Sequence, residues 1–166
     1  MTLPQSHTLI TLHLNRVFDN TVATYKYYWF LGILDACVKQ GKSRINVWDI
    51  MISMVANAWY PVNYFRLSFG KSESLYDAIL TLQREYNIPI NIGINELTEL
   101  LQALIQRREV RRLLNFLQQN VPFRFLRPWI DTSDDRQTVL RSQTFENGCL
   151  YKLERIDHIW WIELNP

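Results

Sequence analysis

The residues of this sequence best suited to chemistry are six arginines. Arg107, Arg108, Arg111, Arg112, Arg124 and Arg127 stand against Glu109 alone within residues 101–130. The first four fall at spacings of one, three, four and five, so on a helix they share one face. A guanidinium donates two parallel hydrogen bonds in a planar fork that matches a phosphate. The chemistry expected of this set is nucleic-acid binding: Arg107, Arg108, Arg111 and Arg112 on phosphates, Arg124 and Arg127 in support, without base reading. Six such contacts on duplex DNA would give log K against log salt a slope of about −5. The competing reading is a solvated helix face neutralised by Glu96, Glu99 or the tail, where residues 131–166 carry seven Asp/Glu against four Lys/Arg. A pI of 8.6 is below that of a dedicated nucleic-acid domain.

Other chemistry is thin. Of the three histidines, His7 and His13 stand close together and His158 far away, and Cys37 and Cys149 stand alone, so no zinc-ligand spacing is present. The five glycines are scattered and form no phosphate loop, and there is no G-x-S-x-G elbow. Cys37 falls on an apolar helical stripe, which predicts a buried, inert thiol. Asp134-Asp135 reads as a helix start rather than a metal site. No catalytic residue, metal ligand or cofactor site is assigned; the residual enzymatic reading is a site built on His13 or His158.

The second notable load is aromatic. Tyr25, Tyr27, Tyr28, Trp29 and Phe30 form one run, and Trp59, Tyr60, Tyr64 and Phe65 a second. Rings such as these stack on bases, but their helical spacing predicts core packing. Trp160-Trp161 on a strand would point two indoles to opposite faces, leaving one exposed unless something covers it. Aromatic surplus of this kind also suits a protein-binding or homodimer surface.

These residues need a scaffold, and composition limits what it is. A chain of 166 residues, 48% hydrophobic with net charge +2, is neither disordered nor dependent on disulfide or metal staples. It lacks an uncharged apolar run long enough for a membrane span and a secretory start, which points to a cytoplasmic protein with reduced cysteines and no membrane partner.

Periodicity predicts helices over 20–39 (capped by Asn20 or Thr21, ended by Gly41), from Asn46 to a stop or kink near Trp59–Tyr60 imposed by Pro61, and from Ser72 or Ser74 to Tyr86. The first is apolar on nearly every side and is expected to be central. Asn95 should cap a further helix, and a helical pattern resumes over EVRRLLNFLQQ. Val121-Pro122 should end that pattern, with VPFRFLRPWI extended or turn-like. A short helix is expected after Ser133. CLYKLE and IWWIEL, around the polar RIDH, alternate as a β-hairpin. The expected fold is mainly α, with five to seven helices around an aromatic-rich core and a small C-terminal β-hairpin in a winged-helix-like order. The division is a helical domain over 1–148 and a hairpin appendage over 149–166. Asn165-Pro166 is a helix opening, so the natural chain is expected to continue.

The stretches NTVATYKYYWFLGILD (20–35), MVANAWYPVNYFRLSFGKSESL (54–75) and VPFRFLRPWI (121–130) resemble the N-terminal helical region of bacterial HNH endonuclease-type proteins. TYKYYWF and ANAWYPV are the most specific parts, and the likeness runs from about residue 15 to the end. In that family a helical N-terminal region precedes the HNH nuclease module, whose paired histidines and Asn hold a divalent metal. The resemblance therefore implies an accessory, non-catalytic segment that positions a nuclease on DNA or on a partner protein, with no catalytic residue carried over. The alternative from the residues themselves is an interaction or oligomerisation module without nucleic-acid contact.

Overall fold

The computed structural model describes residues 12–19, 25–67 and 74–166. The chain is mainly α. Its helices are α1 (Leu12–Asp19), α2 (Tyr25–Leu34), α3 (Val47–Asn63), α4 (Ser74–Glu85), α5 (Ile94–Leu104), α6 (Arg108–Leu126) and α7 (Asp135–Ser142). A π-helical turn, Asp35–Lys39, extends α2. Strands β1 (Arg44–Asn46), β2 (Tyr151–Ile156) and β3 (Ile159–Leu164) form one antiparallel sheet in the order β1-β3-β2.

The centre of the helical layer is α3, not α2. Of α3, Trp48, Met51, Ile52, Val55 and Trp59 are buried as their spacing requires, and Ile50, Met54, Ala58 and Val62 are buried too. Two features start it: Asn46 ends β1 and its side chain accepts from the Trp48 N–H at 2.8 Å. Of the stop or kink expected at Pro61, the stop does not occur: α3 continues to Asn63. A proline in a last turn removes only one backbone donor, and the buried Val62 and Asn63 hold the turn in place. The helix over α2 leaves Leu31 and Leu34 exposed, so its outer side is apolar without being covered by described residues. α2 meets α3 closely at Gly32, where an added Cβ would come within 2.8 Å of Ile50 Cγ2.

Three further expectations need correction. Cys37 is exposed and Ala36 is buried in its place. An apolar stripe through Cys37 requires 3.6 residues per turn, and the π-helical turn departs from that spacing. Gly93, not Asn95, precedes the first residue of α5. Most consequentially, α6 runs straight through Val121-Pro122 to Leu126, so VPFRFLRPWI is helical for most of its length. Val121, Pro122, Phe123, Phe125 and Leu126 are all buried there, and burial of this run offsets the roughly 3 kcal/mol that an interior proline costs. The caps expected at Asn20 or Thr21 and at Ser72 lie outside the described residues; Gly41, with φ +64°, ends the α2 extension as expected.

The hairpin matches its alternation. Tyr151, Leu153 and Ile162 are buried with Ile45 of β1, while Lys152, Glu154, Glu163 and Arg44 face outward. Arg44–Glu154 at 2.7 Å and Lys152–Glu163 at 3.2 Å tie the outer face together. Ile156 pairs with Ile159, leaving Asp157-His158 as a two-residue turn with φ of 48° and 66°, the pattern of a type I′ hairpin. The third strand, β1, had not been expected. Tyr151, Leu153 and Ile162 belong to the same buried cluster as the helices. Tyr151 anchors it: its hydroxyl donates to the Pro122 carbonyl at 2.7 Å and accepts from Trp29 Nε1 at 3.2 Å.

Candidate nucleic-acid interface

Helix α6 places its arginines in two groups. Arg108, Arg111 and Arg112 occupy its first turns, one helical face toward the hairpin. There the end of β2, the Asp157-His158 turn and the start of β3 stand opposite, and a cleft of about 520 Å³ separates the two walls. Arg155, His158 and Trp160 line the hairpin side; Asn115, Gln118 and Gln119 continue the helix side, and Trp48 closes the end.

The three arginines are held differently. The Arg111 Nε donates to the Ile105 carbonyl at 2.8 Å, and its guanidinium lies over the Trp48 ring, 5.7 Å from the centroid. This fixes one cation at the cleft wall, since a planar guanidinium stacks well on indole. Arg108 and Arg112 are exposed and make no ion pair among the described residues. Asp157 is the single carboxylate lining the cleft. The acidic tail is occupied elsewhere, with Glu146 on Arg141, Glu154 on Arg44 and Glu163 on Lys152. Three of the tail's carboxylates are thus paired away from the cleft, and Asp157 is the one tail carboxylate that lines it.

The other three arginines of the expected set stand apart. Arg107 precedes α6 and turns away to lie over Tyr86, 5.5 Å from its centroid. Arg124 and Arg127 sit at the far end of α6 beside Lys26. Arg112 and Arg124 are separated by about 18 Å along the helix axis and about a third of a turn around it. Burial first, then the charges of Arg127 and Arg124, hold the Lys26 ammonium below its ordinary range. Sequence reasoning thus found three of the cleft's four arginines and missed Arg155. Only the register of β2 on β3 brings Arg155 and the following turn to α6.

The histidines do not converge. His13 Nδ1 lies 2.6 Å from the Pro128 carbonyl and the ring stacks on Trp129, whereas His158 is in the hairpin turn; His7 lies outside the described residues. No group of three or more His, Cys, Asp or Glu among the described residues is arranged to hold a metal ion. Asp134 caps α7, its Oδ1 accepting from the Arg136 N–H at 2.8 Å. Burial pushes the Cys149 thiol up to about 11, and both cysteines are free. Each indole of Trp160-Trp161 is partly covered: Trp160 by an edge-on contact with Phe123 and by the Arg155 guanidinium, 5.6 Å from its centroid, and Trp161 by the Arg44 guanidinium. No described helix is long and apolar enough to cross a membrane.

The fold is thus a helical bundle with a small sheet, and a concavity lined by four arginines lies between α6 and the hairpin turn. Comparison with protein-family models, curated proteins and solved structures yields no match to this chain.

Proposed function

We propose that this chain is a DNA-contacting module, the non-catalytic accessory part of an HNH-type nuclease, and that the cleft between α6 and the hairpin is its contact surface. The observation that carries the reading is a set of guanidinium groups, those of Arg108, Arg111, Arg112 and Arg155, around one concavity with no ion-paired carboxylate among them. Such a set favours phosphate oxygens, and the Trp48 platform beneath Arg111 preorganises one of the contacts. The nuclease connection rests on the resemblance of the TYKYYWF and ANAWYPV segments alone. Gel-shift titration at ~50 mM salt tests the reading: retardation of DNA that weakens steeply with added salt supports it, and no retardation of either duplex or single-stranded DNA ends it.

A second reading has its own observation. Tyr60, Tyr64 and Phe65 are 47%, 61% and 60% exposed and stack on one another at the end of α3, with ring centroids 4.8 to 5.6 Å apart. A cluster of this size at the surface suits a protein partner or a second copy of the chain. Light scattering that shows a strict monomer at high concentration removes the second-copy form of this reading.

A further inference from the structure

We infer that the cleft takes an unpaired nucleotide of a single strand, with its phosphates on the arginines, its base against Trp160, and its base edge on the amide of Gln118. This rests on the nucleic-acid reading above and adds what kind of nucleic acid enters, and by which groups.

Gln118 points to it. The residue is 7% exposed, lines the cleft, and its side-chain amide has no hydrogen-bond partner among the described residues. Trp59 Nε1 is the sole fully sealed side-chain atom without a partner among those residues, so the small remaining exposure of Gln118 belongs to its amide, facing the cleft. A buried amide with nothing to bond costs free energy unless a ligand or water supplies the partner. One turn earlier Asn115 lines the same wall, also without a partner among the described residues. A carboxamide offers a donor and an acceptor side by side, the complement of a base edge rather than of a phosphate. Pro122, four residues on, also has no N–H to give the Gln118 carbonyl.

The second observation is the shape beyond this point. Gln119 and Trp160 line both the cleft and a second hollow of about 400 Å³, which reaches Phe123, Val139 and the adjacent, oppositely charged Asp135 and Arg136. The surfaces are therefore the arginines, the amide, the indole under Arg155, and an apolar floor beside the Asp135-Arg136 pair. A base edge inside a duplex is reached by a protruding helix or ribbon, not by a recessed amide in a concave wall. A single strand can turn its base into such a recess, and stacking on an aromatic ring then adds sequence-tolerant affinity.

The test is fluorescence anisotropy at ~50 mM salt with the intact chain and three probes: a labelled 12-nucleotide single strand, the matching duplex, and AMP as competitor. The expected result is single-strand binding about tenfold tighter than duplex binding. Gln118→Leu should weaken the single strand about fivefold to tenfold and leave the duplex unchanged, while the melting temperature holds because the amide faces the cleft and makes no bond within the described residues. Arg155→Gln, on an exposed side chain, should weaken both probes. AMP displacing the labelled strand at micromolar concentration keeps the nucleotide chemistry and assigns it to a free ligand. Equal binding of strand and duplex, or an unaltered Gln118→Leu variant of intact stability, overturns the inference and leaves the nucleic-acid reading standing. Failure of both the strand and the duplex to bind overturns the inference and the nucleic-acid reading together.

Discussion

The two ends of α6 carry the same residue type in different settings. At the first end, Arg108 and Arg112 face an open cleft, Arg111 is propped on Trp48, and unpaired amides follow along the wall. At the other end, Arg124 and Arg127 crowd the half-buried Lys26, whose Nζ donates to the Val17 carbonyl at 3.2 Å. Both are basic, so charge alone does not separate them. What separates them is concavity and the company of neutral hydrogen-bonding groups. A cation next to a recess can hold an anion and its attached group together; a cation next to another cation raises only the local potential.

The largest expected effect breaks this comparison directly. Converting Arg108, Arg111 and Arg112 to Glu should reduce DNA affinity by about a hundredfold or more and lower the salt slope by about three. Converting Arg124 and Arg127 to Glu should change affinity by less than about threefold, because those side chains lie outside the cleft. Anisotropy titrations at several salt concentrations measure both. Equal losses from the two variants would show that binding follows diffuse charge and that the cleft has no special role.

The next effect concerns what keeps the two ends on one helix. Pro122 should interrupt α6, and the Tyr151 hydroxyl bonded to its carbonyl pins the continuing turn to the sheet. Tyr151→Phe removes that donor and also the acceptor of Trp29 Nε1. Leaving both groups buried and unpaired should cost about 2–4 kcal/mol, read as a melting temperature lower by about 5–10 °C in thermal denaturation. A drop below about 2 °C would mean that burial of Phe123, Phe125 and Leu126 sustains the helix without the hydrogen bond.

The contrast between the ends of α6 also marks how far the sequence could be read. The clustering of Arg108, Arg111 and Arg112 on one face is a matter of helical spacing and was legible. So was the hairpin, because Tyr151, Leu153 and Ile162 alternate with charged residues. The continuation past Pro122 was not legible: local propensity opposes it, and what outweighs propensity is tertiary burial by residues far away in sequence. The exposure of Cys37 was hidden for a related reason, since nothing in DACVK announces a π-helical turn. Arg155 and Gln118 were missed because neither belongs to a motif. One enters the site through strand register, and the other matters because the fold leaves its amide without a partner.

The smallest expected effect sharpens the comparison from the far end. Burial, then Arg127 and Arg124, hold Lys26 below its ordinary value of 10.5, so the folded protein gives up that proton more readily than the unfolded chain. Between the folded value and 10.5 the unfolded chain binds more protons, and stability therefore rises with pH across that window. Below the window both states are protonated, and the fold carries the cost of three crowded cations. Arg127→Gln relieves part of that crowding: urea midpoints should rise slightly at neutral pH, and their increase toward pH 10.5 should flatten. The matching change at the cleft, Arg112→Gln, should leave the pH dependence of the urea midpoint as it is, because Arg112 is exposed and is not among the charges acting on Lys26. If the two substitutions flatten the profile equally, the ends of α6 are electrostatically equivalent, and the distinction drawn between an anion-holding recess and a crowded cationic cluster fails.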